Sequence, residues 1–551
     1  MAERSDSSRR NLIIGAVVAV VLVAALVGWL ATRGDDDGGS ANAGATTEEG
    51  GGNNSRLVVN MSVAPATLDP ASACGVYDFT IMENTYARLT RYGSKPGPEG
   101  TTTVDPGNIV PYFAESWKVT NGGKTYTFKL RPNVKFPSGK PMDSEAVKYS
   151  FNRSITMGGC GGYFIYDGIY TPPLIKSMET PDPTTFVVNL SVPDANVLQD
   201  WAQPAASIID KSVVDQHGGV QKGKVNTWMS SHVAGWGPFT LKSYEPNKQA
   251  VLESNPEFFA PGKAKEITIN WIASDPTLLL QARSGAADVT IGLAKQSVNS
   301  LEGNSKVKIV ANDTSLAEWF GLANDKPPFD NAKVRAAVSY AIPYQDILDR
   351  VAYGYGTLFY GVFPAAMPEF DEDLEQPREE DIAKAKQLMA ASGVKTPVTV
   401  GLDIQAGNGT HEQIATIIQG SLQQLGINIQ INKLSASDYI NKLEEHKSQA
   451  FLRLDGPGVI EAGYFLGYDL KCEVSFNLVA ACIPAADKIW AAARKETDDD
   501  KRQEMWDSIA RLWNAQSPKI PIYGDKAATV LSSDVKDYFY SHEIDFSSWS
   551  K

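Results

Sequence analysis

A single apolar run near the N-terminus constrains this chain more than any other feature of its sequence. Residues 12–31 are uncharged and mostly apolar, and as a helix they are long enough to cross a hydrocarbon core of about 30 Å. Arg4, Arg9 and Arg10 precede the run and aspartates follow it at residues 35–37, so the positive-inside rule predicts a cytoplasmic N-terminus. The rest of the chain is therefore expected to fold on the outer side of the membrane.

Two interpretations of this run are open. The apolar region of a cleaved signal peptide spans about 7 to 15 residues, which is shorter than this run. The nearest small-residue cleavage pattern, Ala41-Asn42-Ala43, lies beyond its end. We therefore predict a cytoplasmic tip and signal anchor over residues 1–33 and a flexible acidic linker over residues 34–56. The protein would then sit on the outer face of the bacterial cytoplasmic membrane, and the alternative is a cleaved signal and secretion.

Length, charge and cysteine content restrict the remaining possibilities. At about 150 residues per domain, 551 residues require several domain-sized lobes. The chain has 51 Lys and Arg against 64 Asp and Glu, a net charge of −13, so it offers no broad basic surface and nucleic acid is not an expected partner. Its four cysteines are consistent with two disulfides in an oxidising compartment, and the alternative is four free thiols.

The hydrophobic patterns predict an α/β fold. Residues 57–61 are typical of a buried strand, and residues 117–130 alternate around an Asn-Gly-Gly turn as a hairpin does. Residues 398–434 read as strand, helix and strand, a βαβ unit, and residues 450–454 form another apolar strand. Ligands of such sheets bind beyond the carboxyl ends of the strands. We therefore expect a site near residues 403–408, 434–437 and 455–458.

The sequence offers no recognisable catalytic or metal-binding set. Its five histidines are scattered, and Ala415 stands where the second histidine of a zinc motif begun by His411 and Glu412 would belong. Neither a G-x-S-x-G nucleophile motif nor a phosphate-binding Gly-Lys-Ser loop occurs. We therefore predict a binding protein without enzymatic activity, metal or cofactor.

Several motifs then line up, in order, with one protein family. They are Thr67-Leu68-Asp69-Pro70, the segment 126–141 with its Val134-Lys135-Phe136-Pro137-Ser138-Gly139, Gly235-Trp236-Gly237-Pro238-Phe239 with Asn255-Pro256, and Pro327-Pro328-Phe329-Asp330. On these motifs the chain resembles the extracellular solute-binding proteins of family 5, the dipeptide, oligopeptide and nickel class of ABC importers. The resemblance covers most of residues 56–545.

The resemblance implies a two-lobed periplasmic-binding-protein fold of class II, of the large type with an extra β-rich subdomain. Lobe I would comprise residues 57–308, with the subdomain at about 100–230, lobe II residues 309–519, and residues 520–551 would return to lobe I. The protein would be a monomer that captures a peptide-like or other polar organic solute by lobe closure and delivers it to an ABC permease. The alternatives are a solute sensor without transport, an enzyme on this fold, and a nickel-chelate or oligosaccharide binder.

One segment departs from the family pattern. Peptide-binding members usually carry a G-W-x-x-D-like segment in lobe II whose aspartate pairs with the ligand's amino group, and an ungapped placement puts Gly458 at that aspartate. Asp455 or Glu461 could replace it, and Arg453 could bind a carboxylate through its planar fork.

The family implies a set of contact residues, and the positions of the four cysteines in the expected lobes predict two disulfides. The predicted ligand contacts are Ala64, Pro65, Tyr77, Trp236, Trp319, Arg453, Asp455 and Glu461. The expected disulfides pair Cys74 with Cys160 in lobe I and Cys472 with Cys482 beside the altered loop.

Overall fold

The computed structural model describes residues 55–166, 173–474 and 476–551. The predicted signal anchor and residues 34–54 of the linker lie outside the described residues. In the part of the chain that is described, no helix combines the length and apolar character needed to cross a membrane.

The described residues alternate strands and helices along most of the chain. The strands are β1 (Arg56–Met61), β2 (Thr90–Pro96), β3 (Thr102–Pro111), β4 (Ala114–Thr120), β5 (Thr125–Leu130), β6 (Ile175–Asp182), β7 (Thr185–Leu190), β8 (Phe239–Glu245), β9 (Gln249–Ser254), β10 (Glu266–Trp271), β11 (Val289–Ile291), β12 (Val307–Leu322), β13 (Gly356–Thr357), β14 (Val398–Gln405), β15 (Ile427–Leu434), β16 (Ala450–Asp455), β17 (Lys519–Ser532) and β18 (Phe539–Tyr540). The helices are α1 (Val76–Thr85), α2 (Ser144–Met157), α3 (Cys160–Tyr166), α4 (Val197–Ala202), α5 (Lys211–Gln216), α6 (Asp275–Ser284), α7 (Lys295–Asn299), α8 (Ala332–Ala341), α9 (Tyr344–Arg350), α10 (Ile382–Ser392), α11 (Gly409–Gln423), α12 (Ala436–Glu444), α13 (Ala462–Asp469), α14 (Pro484–Ala493) and α15 (Asp499–Gln516), with short 3-10 turns at Pro98–Gly100 and Pro204–Ala206.

A large mixed sheet runs through both lobes, in the order β15-β14-β16-β12-β17-β11-β1-β10-β9-β8. Lobe II is built on β14, β15 and β16, and lobe I on β1 and β8 to β11. The long strands β12 and β17 pair with each other in antiparallel fashion and pass from one lobe into the other. Their register shifts between Asp313 and Ala317, so the ladder is interrupted where the lobes meet. The exact residue limits predicted for the lobes stay a prediction.

The structure confirms the local predictions for strands and turns. β4 and β5 form the expected hairpin, and Asn121, Gly122 and Gly123 at its turn all have positive φ angles. β14 and β15 are parallel and flank α11, as a βαβ unit requires. Two smaller sheets, β18-β3-β2 and β4-β5-β7-β6, supply the additional β-rich part of lobe I.

Two of the sequence motifs have structural explanations. Asp69 of the Thr-Leu-Asp-Pro turn is fully buried and accepts two hydrogen bonds of 2.7 Å from the guanidinium of Arg153 on α2. In the Gly-Trp-Gly-Pro motif, a Cβ atom at Gly235 would lie 2.1 Å from the ring of Tyr86, and one at Gly237 would lie 2.5 Å from the backbone of Thr85. These glycines therefore allow close packing of the 235–237 segment against the end of α1.

A buried carboxylate in lobe II predicts a pH dependence of folding stability. The Glu375 side chain accepts hydrogen bonds of 2.7 and 2.8 Å from the backbone N–H groups of Val362 and Phe363, yet burial raises its pKa to about 8. This pKa lies above that of a glutamate in an unfolded chain. The contribution of Glu375 to the free energy of unfolding is therefore fully present below about pH 4 and is lost as the pH rises through about 8.

We expect Glu375→Gln, which keeps an acceptor oxygen, to remove part of this dependence. The variant should be more stable relative to the wild type at about pH 9 than at about pH 5, as measured by urea unfolding at both values. The same stability difference between the two proteins at both pH values would contradict the prediction.

Candidate ligand-binding site

A cavity of about 300 Å³ lies between the two lobes. Lobe I contributes Cys74, Gly158, Gly159, Cys160, Tyr163 and Phe164 to its lining. Lobe II contributes Ile440, Leu443, Glu444, Arg453, Asp455, Gly456, Pro457, Gly458, Tyr464, Phe465, Tyr468, Asp469, Phe476 and Leu478. The volume is at the lower end of the range of about 300–1,000 Å³ that is usual for small-molecule sites.

Aromatic side chains from both lobes form the walls of this cavity. The rings of Tyr163 in lobe I and Tyr468 in lobe II have centroids 5.3 Å apart, and those of Phe164 and Tyr464 are 6.1 Å apart. Within lobe II, Tyr468 lies 4.4 Å from Tyr464 and 5.7 Å from Phe476. Such walls suit the apolar parts of an organic solute, because aromatic rings offer large contact areas.

A disulfide and two glycines hold α3, which carries the lobe I wall of the cavity, close to the 70–71 turn. A disulfide joins Cys74, just before α1, to Cys160, the first residue of α3. A Cβ atom at Gly159 or Gly161 would lie 2.4 or 2.0 Å from a backbone oxygen of the 70–71 turn, so only glycine allows α3 to pack this closely. The second predicted disulfide, Cys472–Cys482, is also present and lies outside the cavity lining.

Arg453, Asp455 and Asp469 of lobe II form the polar floor of the cavity, and Lys519, outside the lining, pairs with Asp469. The Nε atom of Arg453 lies 3.0 Å from Oδ2 of Asp455, and Nζ of Lys519 lies 3.0 and 2.9 Å from the two carboxylate oxygens of Asp469. Burial would raise the pKa of Asp455, but the positive charges of Arg453 and Lys519 hold it below its ordinary value. At Asp469 burial outweighs the attraction of Lys519 and raises the pKa.

Arg453 and Glu444 line the cavity and have polar atoms that could bind a ligand. Within the described residues, the guanidinium of Arg453 has one ion-pair partner, Asp455, which it meets through Nε, so its two terminal nitrogens are available to a ligand. Glu444, at the end of α12, has no hydrogen-bond or ion-pair partner for its carboxylate in the same described part of the chain. Burial raises the pKa of Glu444, and Arg453 opposes this shift.

Of the eight predicted contacts, the structure brings two, Arg453 and Asp455, to the cavity. Trp319 lies behind the floor rather than in it. It is fully buried against Phe359 and Trp513, and its indole N–H donates a 3.1 Å hydrogen bond to the backbone oxygen of Asp455. Trp319 therefore supports the floor from the core side of β12.

Glu461 has a structural role that the sequence interpretation did not anticipate. Its fully buried carboxylate caps α13 by accepting hydrogen bonds from the backbone N–H groups of Gly463 and Tyr464. It also accepts a hydrogen bond from Asn196 and lies 3.6 Å from Arg494. The cap turns this carboxylate into the protein, so Glu461 does not line the cavity, contrary to the expectation that it would face the ligand.

The remaining predicted contacts lie elsewhere in lobe I. Ala64 and Tyr77 pack at the edge of the core around β1. The backbone oxygen of the buried Pro65 accepts a 3.5 Å hydrogen bond from the hydroxyl of Tyr244. Trp236 packs edge-on against the ring of Phe258. None of the four lines the cavity between the lobes, so their role in binding stays a prediction.

The sequence pattern predicts only part of the cavity lining. Of the three predicted edge segments, residues 455–458 line the cavity, whereas 403–408 and 434–437 do not. It missed Glu444 and the aromatic residues of α3 and α13. The spacing of Tyr464 and Tyr468 by four residues places them on one helix face and was the available signal.

The lobes also meet beside the cavity, through an interlobe ion cluster of Asp194, Asn196, Glu461 and Arg494. Nε of Arg494 donates a 3.1 Å hydrogen bond to the carboxylate of Asp194, and both side chains are almost completely buried. The backbone N–H of Ala195 donates to the carbonyl oxygen of Arg494 at 3.0 Å. These contacts join the two lobes beside the cavity.

No group of three or more His, Cys, Asp or Glu side chains in the described ranges is arranged to hold a metal ion.

The sequence and the fold match known proteins. Residues 108–477 match the model of the bacterial extracellular solute-binding proteins, family 5 Middle. The chain is 30% identical over 493 residues to the "Probable D,D-dipeptide-binding periplasmic protein DdpA" of Escherichia coli K12, covering 88% of this chain and 91% of that protein. It is 23% identical over 458 residues to the glutathione-binding protein GsiB of Shigella flexneri serotype 5b, covering 79% and 84%.

A solved structure with the same fold is the periplasmic binding protein DppA from Helicobacter pylori in complex with the peptide STSA. Its TM-score is 0.74 at 21% identity, and the match covers 90% of this chain and 98% of that one.

Proposed function

Because the chain belongs to the bacterial extracellular solute-binding proteins of family 5, we propose that it captures a short peptide-like solute in the cavity between its lobes. Proteins of this family are substrate-binding components of ABC importers and not enzymes, and the chain is such an extracytoplasmic component. The observation that carries the proposal is the cavity itself, which has aromatic walls from both lobes and a charged floor from lobe II.

The chemistry of the cavity supports a small ligand with charged ends. Arg453 offers two terminal N–H groups that match a carboxylate, and charged hydrogen bonds of this kind are among the stronger ones in proteins. The aromatic walls suit apolar side chains. The D,D-dipeptide-binding relative, which aligns along nearly its whole length, supports a ligand of about two residues.

The proposal extends to partners and location. The protein would act as a monomer, deliver its solute to an ABC permease in the membrane, and stay on the outer face through residues 12–31. Closure of the two lobes would present the loaded form to that permease.

The first experiment is native mass spectrometry of the purified full chain, followed by calorimetric titration with D-Ala-D-Ala, L-Ala-L-Ala and L-Ala-L-Phe. We expect at least one dipeptide to bind, and simple sugars serve as negative controls. Binding of a sugar, with no binding of any peptide tested, would overturn the proposed ligand class.

Replacing Arg453 by glutamine should weaken binding of the tightest dipeptide by about 10-fold to 100-fold, because one charged hydrogen-bond partner of the carboxylate is lost. The measurement is the dissociation constant by titration calorimetry. Arg511→Gln is the matched control, since Arg511 is an exposed arginine of α15 outside the cavity. Unchanged affinity in Arg453→Gln would remove Arg453 from the site.

A further inference from the structure

A loop of lobe II reaches into lobe I beside the long strands. It follows α9, which packs in the apolar core of lobe II, and its Tyr355 is 7% exposed in a cluster with Leu278 and Leu301 of lobe I. The hydroxyl of Tyr355 donates a 2.9 Å hydrogen bond to Oε1 of Glu302. An aromatic side chain of lobe II is therefore seated in lobe I, where its burial is favourable.

The turn before Tyr355 determines where this side chain lies. Tyr353 and Gly354 have φ angles of 53° and 78°, so two successive residues adopt the left-handed region and reverse the chain after α9. A Cβ atom at Gly356 would lie 2.9 Å from the Leu348 side chain, so glycine lets the loop pass close to α9. The local sequence thus fixes the position of Tyr355 relative to α9.

The backbone of the loop is also held from lobe I. Nζ of Lys295, on α7, donates 2.5 Å hydrogen bonds to the backbone oxygen of Tyr355 and to Oδ1 of Asp525 on β17. The same ammonium group lies 4.7 Å from the centroid of the Tyr523 ring. One lysine of lobe I therefore joins the loop to a long strand that runs between the lobes.

These contacts lie at the interruption of the ladder between β12 and β17. Gly356 and Thr357 form β13, which pairs with β17 at Asp525 and Gly524. The hydroxyl of Thr357 donates a 2.5 Å hydrogen bond to Oδ1 of Asp313, where the register of the ladder shifts. The loop thus contacts both long strands at the point where their pairing is interrupted.

We propose that Tyr355 is the pivot of lobe closure: it stays seated in lobe I while α9 and the rest of lobe II turn about it. A motion that withdrew Tyr355 would expose its ring and break its hydrogen bonds with Glu302 and Lys295, so turning about the seated ring costs less. This inference rests on the proposed function for the role of closure. It deepens that function by adding a positioning residue that lies outside the cavity lining.

The test compares the wild type with Tyr355→Ala, Tyr355→Phe and the matched control Leu278→Ala. The control removes a buried lobe I side chain from the same cluster and leaves Tyr355 in place. Tyr355→Phe keeps the ring and loses only the hydrogen bond to the exposed Glu302. A purely structural role of Tyr355 in this cluster would make the two alanine variants behave alike.

The first measurement is small-angle scattering of the ligand-free proteins. We expect Tyr355→Ala to have a larger radius of gyration and a broader distance distribution than the wild type, and the other two variants to match the wild type. The second is the dissociation constant for the tightest of D-Ala-D-Ala, L-Ala-L-Ala and L-Ala-L-Phe. Only Tyr355→Ala should bind it more weakly, by about 2-fold to 30-fold, because a looser ligand-free ensemble loses more conformational entropy on closure.

The outcomes separate the inference from the proposed function. Unchanged scattering or unchanged affinity in Tyr355→Ala, or equal changes in Leu278→Ala, would overturn the inference while the proposed function stands. If no dipeptide binds the wild type, the proposed function fails and the scattering comparison alone decides the inference. Thermal unfolding checks that each variant folds. If Tyr355→Ala does not fold, Lys295→Met takes its place with the same expected direction, because it frees the loop backbone and keeps the ring seated.

Discussion

Removing the Cys74–Cys160 disulfide, by replacing both residues with serine, is expected to lower the free energy of unfolding by about 4–5 kcal/mol. The two cysteines are 86 residues apart, so the bond restricts a large loop of the unfolded chain. The Cys472–Cys482 bond closes only 10 residues, and its removal by the same double substitution should cost about 3 kcal/mol or less. Denaturation by guanidinium under non-reducing conditions measures both values.

The two disulfide variants should also differ in ligand binding. Cys74 and Cys160 line the cavity, whereas Cys472 and Cys482 do not. The Cys74/Cys160 variant should therefore bind the best dipeptide more weakly, while the other variant should retain affinity. Equal losses of stability and of affinity in the two variants would contradict this account.

The second large effect is expected at the interlobe ion cluster. Arg494→Ala leaves the carboxylate of Asp194 buried without its guanidinium partner, and breaking a buried ion pair in this way costs about 3–5 kcal/mol. Urea unfolding measures the loss. Lys248→Ala is the control, because it breaks an exposed pair with Glu245, which is expected to contribute little.

A double-mutant cycle tests whether the loss of unfolding free energy comes from the interaction between Asp194 and Arg494. Asp194→Ala combined with Arg494→Ala should cost less than the sum of the two single changes, since the double variant buries no unpaired charge from this pair. We also expect Arg494→Ala to increase the radius of gyration of the ligand-free protein in small-angle scattering. Additive losses would show that the two side chains act independently.

The sequence was informative where structure is local. Alternating residues predicted the hairpin of β4 and β5, and helical spacing between two apolar strands predicted the βαβ unit, because each pattern follows from the geometry of one element. Arg453 and Asp455 could be placed because they end a strand at the edge where ligands bind.

Other features depend on contacts between distant segments. Glu444 and Arg453 line the same cavity only because of the way α12 packs in lobe II, where the hydroxyl of Tyr439 donates a hydrogen bond to the backbone oxygen of Leu452 on β16, and no local pattern distinguishes Glu444 from Glu445. Glu461 looked like a free acidic residue in a loop, yet the helix that begins at Ala462 uses it as a cap. The family resemblance places Trp319 on a segment that faces the ligand, but an aromatic residue is equally consistent with the core, where the structure places it.

The pair of long strands that links the lobes restricts how they can move. Because β12 and β17 are hydrogen-bonded to each other on both sides of the interruption near Asp313, a screw or shear motion of one lobe would break the ladder. Bending at the interruption breaks few hydrogen bonds. The ladder therefore favours bending at this interruption over sliding of one lobe past the other, and we expect the rate of solute release to depend on the stiffness of this joint and on Arg494 as well as on the solute.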